Sequence, residues 1–220
     1  MNLVIVIPAY NPPNDFINLL LKIRQVTSVY IIIIDDCSIK PIKINSKISN
    51  VKLFRNSVNQ GKGGALKKGF ELAYEDKYTH AITMDADFQH SPDDINNFIN
   101  IKEDISIIYG KRKFQHPMPL HRRFSNHITS RIISFIFKSS IFDSQCGFRR
   151  YKLEDIKRII VNENGYQYET ELLIKAIKMK LTILPISIST IYSNETSNLQ
   201  YFHNIYLFLK LIILLSIYEK

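Results

Sequence analysis

Two aspartates one residue apart, Asp85 and Asp87, directly follow the apolar run at residues 81–84. Carboxylates that end a buried strand lie at the edge of a sheet, where a few protein oxygens can hold a hard divalent cation and substrate phosphates fill its remaining positions. The pattern therefore predicts a site for a nucleoside diphosphate. The alternative is a plain strand-to-helix turn, because Asp caps helices and Ser-Pro-Asp at residues 91–93 is typical of a helix N-terminus.

Two further segments carry groups that suit a nucleotide. Asp35 and Asp36 close the second apolar run, where a carboxylate can accept a hydrogen bond from uracil or guanine, or else cap a helix. Residues 59–65 are Gly-rich and enter a helical pattern, so the amides near Gly61 and the side chain of Lys62 could meet phosphate or ribose. Their spacing matches neither a P-loop nor a dinucleotide-binding fold, which disfavours a kinase or a dehydrogenase. An ordinary glycine turn is the alternative.

Apolar runs alternate with helical patterns along the chain, and this alternation predicts a mostly parallel α/β sheet. The ligand site of such a sheet lies at the carboxyl ends of its strands. We predict strands at residues 3–7, 30–34, 51–54, 81–84, 105–109 and within 181–191, and helices at 15–26, 64–74, 92–101, 121–137 and 168–178. The segments 110–112 and 143–149 are expected to be loops.

The chain has 220 residues and a formal net charge of +9, with 45% hydrophobic and 22% charged residues. This composition predicts one soluble domain whose surface attracts anions such as nucleotide phosphates, anionic lipid headgroups or nucleic acid. No nucleic-acid-binding motif accompanies the charge, so nucleic acid is not expected as a partner. The two cysteines, Cys37 and Cys146, match no metal-ligand spacing and indicate reduced thiols in a cytosolic protein. The N-terminus shows no secretory signal.

The C-terminal segment 205–217 is apolar except for Lys210 and Ser216. As a helix it covers about 20 Å, which is short of a hydrocarbon core of roughly 30 Å. We therefore expect no transmembrane span there. Two interpretations remain, a helix packed on the domain or a helix lying in a membrane interface.

Seven motifs in order resemble those of glycosyltransferase family 2 enzymes of GT-A fold, in particular the branch with dolichyl-phosphate mannose synthase and dolichyl-phosphate glucosyltransferase. They are IPAYN at 7–11, IDDCS at 34–38, NQGKGGAL at 59–66, DADFQHSP at 85–92, GKR at 110–112, DSQCGFR at 143–149 and YETELL at 168–173. The resemblance implies a Rossmann-like sheet flanked by helices. We predict a single domain at 1–198, with a nucleotide-sugar-binding half at 1–110 and an acceptor-binding half at 111–198, followed by a C-terminal apolar helix at 199–220.

The resemblance also implies roles for individual residues on the donor side. Asp85, Asp87 and Gln89 would lie at a Mg²⁺ or Mn²⁺ ion and the diphosphate. The set predicted to bind the nucleotide sugar is Pro8, Ala9, Tyr10, Asn11, Asp36, Gly61, Lys62, Asp85 and Ala86. The cation would stabilise negative charge on the departing nucleoside diphosphate. Members of this branch invert the anomeric centre, which implies a single in-line displacement.

The acceptor decides which other residues matter. A phosphate monoester is already mostly dianionic at neutral pH and needs positioning, whereas a sugar hydroxyl needs a carboxylate base. The many arginines favour a phosphate acceptor, although a solvated basic face or a membrane-facing patch explains some of them equally well. The predicted catalytic residues are Asp87, Arg112, Arg149 and Asp143, the last as a general base or an acceptor-orienting group. The predicted acceptor-binding residues are Arg122, Arg123, Arg131 and Glu171. We interpret His90, His116 and His121 as surface or loop residues.

These observations predict transfer of a sugar from a nucleoside-diphosphate sugar to a polyprenyl phosphate, with a UDP-glucose type of donor favoured over GDP-mannose. The protein is expected to be cytoplasmic and peripheral at the inner face of the cell membrane, alone, as a homo-oligomer or with a membrane-protein partner. Two alternatives stay open. One is transfer to a saccharide hydroxyl in surface polysaccharide or lipopolysaccharide synthesis, and the other is an inactive nucleotide-sugar-binding subunit of a membrane complex.

Overall fold

A seven-stranded sheet with strand order β3-β2-β1-β4-β6-β5-β7 forms the centre of the molecule. The computed structural model describes residues 1–44, 48–102, 104–112, 120–189, 191 and 199–217, and it describes side chains in those ranges except at 120–125 and 199–205. The strands are β1 (Leu3–Ala9), β2 (Tyr30–Asp35), β3 (Val51–Arg55), β4 (His80–Thr83), β5 (Ile107–Arg112), β6 (Arg149–Lys152) and β7 (Ile183–Ile188).

The predicted mostly parallel sheet is confirmed, and β6 is its antiparallel strand. All neighbours pair in parallel except β6, which runs antiparallel to both β4 and β5. Because β6 runs the opposite way, its first residue lies at the edge where β4 and β5 end. The segment 143–148 just before β6 is thereby brought to the carboxyl edge of the sheet, where the loops after β1, β2 and β4 also lie.

The predicted loop at 143–149 ends at the first residue of β6, and no element was predicted at residues 150–152, where Arg-Tyr-Lys shows no apolar run. The structure buries Arg149 and Arg150 completely. The guanidinium of Arg150 donates hydrogen bonds to the backbone carbonyls of Phe98, Ile101 and Lys102, which satisfy its charge inside the protein. Strand β5 also extends further than predicted, through Arg112, because it pairs with β7 up to the contact of Arg112 with Ile188.

Helices cover both faces of the sheet. They are α1 (Phe16–Val26), α2 (Gly61–Glu75), α3 (Ile95–Ile99), α4 (Leu120–Phe137), α5 (Leu153–Ile156), α6 (Tyr168–Lys178) and α7 (Leu199–Ile217), with a 3-10 turn at Pro92–Asp94. Successive residues of β1 point to opposite faces, so Ile5 and Ile7 pack with α1 and α3 while Val4 and Val6 pack with α2, α5 and α6. This double cover explains why the strands are continuous apolar runs.

A third apolar cluster joins α4, α6 and α7 over Tyr109 of β5. It includes Ile133 of α4, Leu173 of α6 and Leu211 of α7. Helix α7 is 19 residues long, and the face that carries Leu211 packs on the domain. Among the described residues, no helix combines the length and the hydropathy needed to cross a bilayer.

Candidate active site

A cleft of about 610 Å³ opens at the carboxyl ends of β1, β2 and β4. Its walls are the loops that follow these strands, the first turn of α2 and residues 165–166. Every residue of the predicted nucleotide-binding set lines this cleft, and so does Asp87. The motifs that are far apart in sequence are thus brought to one concave site, at the position where α/β sheets bind ligands.

The neighbouring aspartates at the end of β2 have separate roles. Asp36 lines the cleft and caps α2, since its carboxylate accepts hydrogen bonds from the backbone N–H of Gly61 at 2.8 Å and of Gln60 at 2.9 Å. Asp35 points away from the cleft lining and pairs with Arg55. The capping alternative is therefore realised at Asp36, and the cap holds the amino end of α2 beside the cleft.

Two glycines allow the backbone to approach the site closely. Gly61 has a φ of +81°, and a Cβ there would lie 2.6 Å from the carbonyl oxygen of Asn164. A Cβ on Gly147 would lie 2.5 Å from Oδ2 of Asp85 and 2.8 Å from Nζ of Lys62. The segment before β6 thus forms a close wall against the charged groups of the cleft.

Lys62 contacts two carboxylates in the cleft, and we name Lys62, Asp85 and Glu169 the cleft cluster. The Nζ atom of Lys62 lies 2.7 Å from Oδ1 of Asp85 and 2.8 Å from Oε2 of Glu169. Burial disfavours the charged ammonium, but the two carboxylates outweigh burial and raise the pKa of Lys62 above its usual value. Likewise burial opposes ionisation of Asp85, and Lys62 outweighs it and lowers the pKa of that carboxyl. The Oε1 atom of Glu169 is buried without a hydrogen-bond partner among the described residues.

The donor set at the end of β4 suits a cation that the substrate helps to hold. Asp85 and Asp87 are both partly exposed to the cleft, and carboxylate oxygens are the ligands that Mg²⁺ and Mn²⁺ prefer. Within the described ranges, no group of three or more His, Cys, Asp and Glu side chains is arranged to enclose a metal ion. These residues therefore fit a divalent ion whose remaining ligands come from a diphosphate, and they do not fit an all-protein metal cage.

Gln89 lies beside this pair but outside the cleft lining. Its backbone N–H donates to Oδ1 of Asp87 at 3.0 Å, and its carbonyl oxygen accepts from the N–H of Ile191. The loop after β4 is in this way tied to Ile191, three residues beyond the end of β7, and the backbone of Gln89 orients the Asp87 carboxylate.

A second group of interacting polar side chains consists of Arg112, Asn126 and Asp143, and we name it the acceptor-side cluster. Arg112 is the last residue of β5, Asn126 lies on α4, and Asp143 begins the segment before β6. Arg112 donates from Nε to Oδ2 of Asp143 at 2.7 Å and from NH2 to Oδ1 at 3.0 Å, and Asn126 donates to Oδ1 at 2.8 Å. Burial opposes ionisation of Asp143, yet the guanidinium outweighs it and holds the pKa of this carboxyl below its usual range. Such a carboxylate is a weak base, and its geometry suits orienting Arg112.

Two residues predicted to contact substrate have other partners. Arg149 is completely buried and its guanidinium donates to the carbonyl oxygens of Ser144, Cys146 and Glu169, so it shapes the segment before β6 and does not reach the cleft. Glu171 accepts from the N–H groups of the loop at 162–163 and pairs with Lys175, away from the acceptor-side cluster. Both predictions are corrected for the same reason, because buried partners already satisfy these side chains.

The predicted acceptor arginines lie on α4. Arg131 is exposed on this helix. Arg122 and Arg123 fall in its first turns, and their side chains lie outside the described residues.

His90 lies in the loop after β4, as one half of its prediction had it, but its side chain is not at the surface. It is buried, its ring stacks on Phe148 with a centroid distance of 5.1 Å, and its Nδ1 accepts the N–H of Asp85 at 3.5 Å. Burial lowers the pKa of His90 to about 4, so the ring is neutral at pH 7. The sequence around His90 does not indicate this burial, because its stacking partner Phe148 belongs to a motif far away in the chain. His116 lies outside the described residues, and so does the side chain of His121.

Comparison with known proteins identifies the family. The sequence model of the family described as "Glycosyl transferase family 2" matches residues 4–173 of this chain. A UDP-N-acetylglucosamine–dolichyl-phosphate N-acetylglucosaminyltransferase of Methanococcus voltae is 32% identical over 215 residues, which cover 86% of this chain and 85% of that protein. A dolichyl-phosphate beta-glucosyltransferase of Dictyostelium discoideum is 28% identical, and the match covers 85% of this chain and 65% of that protein.

A solved structure shares the fold at low sequence identity. Glucosyl-3-phosphoglycerate synthase of Mycobacterium tuberculosis, crystallised with Mn²⁺, UDP and glucosyl-3-phosphoglycerate, superposes with a TM-score of 0.77 at 15% identity. The superposition covers 98% of this chain and 79% of that one. The sheet order, the cleft at its carboxyl edge and the family match agree, and the chain therefore belongs to glycosyl transferase family 2 as a glycosyltransferase of GT-A fold.

Proposed function

We propose that this glycosyltransferase transfers a sugar from a nucleoside-diphosphate sugar to a polyprenyl or dolichyl phosphate. The observation that carries the donor half of the proposal is the cleft, in which Asp85 and Asp87 stand beside the capped amino end of α2. The names of the relatives support the acceptor half, since the proteins of Methanococcus voltae and Dictyostelium discoideum are named for dolichyl phosphate.

Different residues of the cleft contact different parts of the nucleotide-sugar donor. The backbone after β1 binds the base and ribose at one end, near Tyr10, where Asp36 holds the amino end of α2 beside them, and Lys62 faces the phosphates at the other end. Two contacts support this placement of the donor. The amino end of α2 fixes the carboxylate of Asp36, and the ammonium group of Lys62 lies next to Asp85. We favour a UDP-glucose type of donor over GDP-mannose, because the motifs at 59–66 and 143–149 resemble those of glucosyl-transferring relatives more than those of mannosyl-transferring ones.

Asp85 and Asp87, with Gln89 beside them, would hold Mg²⁺ or Mn²⁺ together with the donor diphosphate. When bound, such an ion stabilises the negative charge that develops on the departing nucleoside diphosphate. Lys62 adds a fixed positive charge that stays protonated at neutral pH, because two carboxylates contact it. The acceptor oxygen forms a bond to the anomeric carbon as the bond from that carbon to the diphosphate breaks, with inversion.

A phosphate acceptor fits the acceptor-side cluster better than a hydroxyl acceptor does. Asp143 has both oxygens engaged by Arg112 and Asn126, and its low pKa makes it a poor general base. A phosphate monoester needs no base, because its second proton is lost near pH 6. It needs a cation, and Arg112 is held at the strand end by Asp143 for that contact.

A transfer assay tests the proposal. Purified protein is given radiolabelled UDP-glucose, UDP-N-acetylglucosamine or GDP-mannose with Mn²⁺ and a polyprenyl phosphate, and the label is followed into the lipid fraction. We expect lipid labelling from a UDP-sugar and its loss in Asp87→Ala. Labelling of a saccharide hydroxyl with no labelling of the lipid phosphate would contradict the acceptor assignment. Binding of UDP-sugar without any turnover would contradict the activity altogether.

The expected location follows from the acceptor. A lipid phosphate keeps its chain in the bilayer, so we place the protein at the inner, cytoplasmic face of the cell membrane as a peripheral protein. Separation of the cell contents into membrane and soluble fractions checks this assignment.

A further inference from the structure

Helix α4 has its polar side facing inward. Asn126 and Ser130 are buried, and they bond to Asp143 and Ser144 of the segment before β6. Ser134, one turn further on, donates to the carbonyl oxygen of Ile141. A helix on the surface of a globular protein normally buries its apolar stripe, so this arrangement leaves apolar side chains of α4 to face outward.

The outer side of α4 carries apolar and basic residues at helical spacing. Ile128, Arg131 and Phe135 follow one another at intervals of three or four residues, which places them on one face, and Lys138 directly follows the last residue of the helix. All four are exposed, and Phe135 has 86% of its surface in contact with solvent. A phenylalanine this exposed on an ordered helix indicates an interaction surface.

Helix α7 continues this surface. Its residues Leu211, Ile212 and Leu215 pack into the cluster that α4 and α6 share. The opposite side of α7 is also apolar, with Ile213 54% exposed and Ile217 58% exposed. Because α4 and α7 pack side by side on the same cluster, their outward faces form one surface. We name it the α4–α7 face, and its described members are Tyr206, Lys210, Ile213, Leu214 and Ile217 of α7, Ile128, Arg131 and Phe135 of α4, and Lys138 just after α4.

All charged side chains of the α4–α7 face are positive. The face presents Arg131, Lys138 and Lys210, and the sequence contains no Asp or Glu at residues 120–142 or 197–217. Exposed apolar side chains with only basic neighbours are the combination by which interfacial helices bind anionic lipid. A second copy of the chain fits less well, because a two-fold contact would bring the same positive charges together.

We propose that the α4–α7 face rests on an anionic lipid bilayer, with Phe135, Ile213 and Ile217 inserted among the headgroups. The position of the face is consistent with the acceptor, because α4 passes from this surface to Asn126 in the acceptor-side cluster. The purpose of the contact, delivery of a lipid phosphate, rests on the proposed function. The contact itself does not.

Vesicle flotation tests the contact without any measurement of turnover. The protein is mixed with vesicles of phosphatidylcholine alone or of phosphatidylcholine with phosphatidylglycerol. We expect binding to the anionic vesicles, weakened by salt, and a loss of about tenfold or more in Phe135→Glu because a charge replaces an inserted ring. Lys210→Gln should weaken binding to anionic vesicles about fivefold and leave weak binding to neutral vesicles unchanged.

Ile160→Glu is the matched control, because Ile160 is 79% exposed but lies outside both helices. It should bind vesicles as the unmodified protein does, and thermal unfolding should show that all variants fold. Equal binding of Phe135→Glu and the unmodified protein would overturn the proposal, and so would a stable dimer that Phe135→Glu separates. Vesicle binding without sugar transfer would contradict the proposed function alone. Sugar transfer to a short-chain, water-soluble acceptor without vesicle binding would contradict the membrane contact alone.

Discussion

The cleft cluster and the acceptor-side cluster each pair a basic side chain with an aspartate, but they differ in how open they are to solvent. In the first, the side chain of Asp85 is 25% exposed and shares one oxygen with Lys62. In the second, the side chain of Asp143 is fully buried and both oxygens are bound. A carboxylate that keeps solvent access can still bind a ligand, whereas a fully paired one positions its partner. We therefore assign ligand binding to the carboxylate of Asp85 in the cleft cluster, and the positioning of Arg112 to Asp143 in the acceptor-side cluster.

The sharpest test of this contrast is the stability of Asp143→Ala. This substitution removes the buried carboxylate that pairs with the guanidinium of Arg112, so we expect the free energy of unfolding to fall by about 3–5 kcal/mol. Urea denaturation measures this change. Asp76→Ala is the control, because it breaks an exposed pair with Lys52 and should cost at most about 1 kcal/mol. Equal losses in the two variants would show that Asp143 is not the buried support described above.

Asp87→Asn should show the opposite pattern. Turnover should fall at least about a hundredfold, because a ligand of the charge-stabilising ion is weakened, a loss of roughly 3 kcal/mol in transition-state stabilisation. The free energy of unfolding should change by no more than about 0.5 kcal/mol, since Asp87 is partly exposed. Steady-state kinetics and denaturation check both halves. Asp93 is exposed in the 3-10 turn that follows this loop, and Asp93→Asn should leave both quantities unchanged.

Glu169→Gln tests whether the buried side of the cleft cluster supports the fold. The amide keeps the shape but removes the charge that faces Lys62, so we expect a loss of about 1.5–3 kcal/mol in the free energy of unfolding. Glu154→Gln breaks an exposed pair with Arg158 and should change stability by less than about 1 kcal/mol. If the two variants are alike, burial of Glu169 does not strengthen the bridge.

The smallest expected effect is the contribution of His90 to the pH dependence of the free energy of unfolding. The folded pKa of His90, about 4, lies below the usual histidine value of 6.5, so the unfolded chain takes up the proton first as the pH falls. The contribution of His90 is complete above pH 6.5, and stability should decline between pH 6.5 and 4 with a slope of up to about 1.4 kcal/mol per pH unit. His90→Phe should lack this part of the slope. A variant that keeps it would show that another group titrates there.

The sequence predicts the parts of this molecule that depend on local pattern. The apolar runs locate β1, β2 and β4 because strands covered on both faces are continuously hydrophobic, and the polar residues after them locate the cleft. The helix at Tyr168–Lys178 is predicted with the observed bounds, because its apolar spacing is strongly periodic.

The features that local pattern misses depend on contacts between distant segments. Strand β6 pairs between β4 and β5, and its buried Arg150 is accommodated by the carbonyl groups of Phe98, Ile101 and Lys102, which nothing near Arg150 in the sequence indicates. Arg149 and Arg112 are chemically alike, yet burial assigns one to the backbone of its own segment and leaves the other at the end of β5. Residue type therefore predicts that a charged group needs a partner, and the fold decides which partner it has.

Binding of Mn²⁺ in the presence and absence of UDP, followed by the electron paramagnetic resonance signal of the free ion, tests the central claim most directly. If Asp85 and Asp87 hold the cation jointly with a diphosphate, the free-ion signal should fall strongly only when UDP is present, and Asp87→Asn should restore it. Equally tight Mn²⁺ binding in Asp87→Asn and the unmodified protein, or no effect of UDP, would contradict the account.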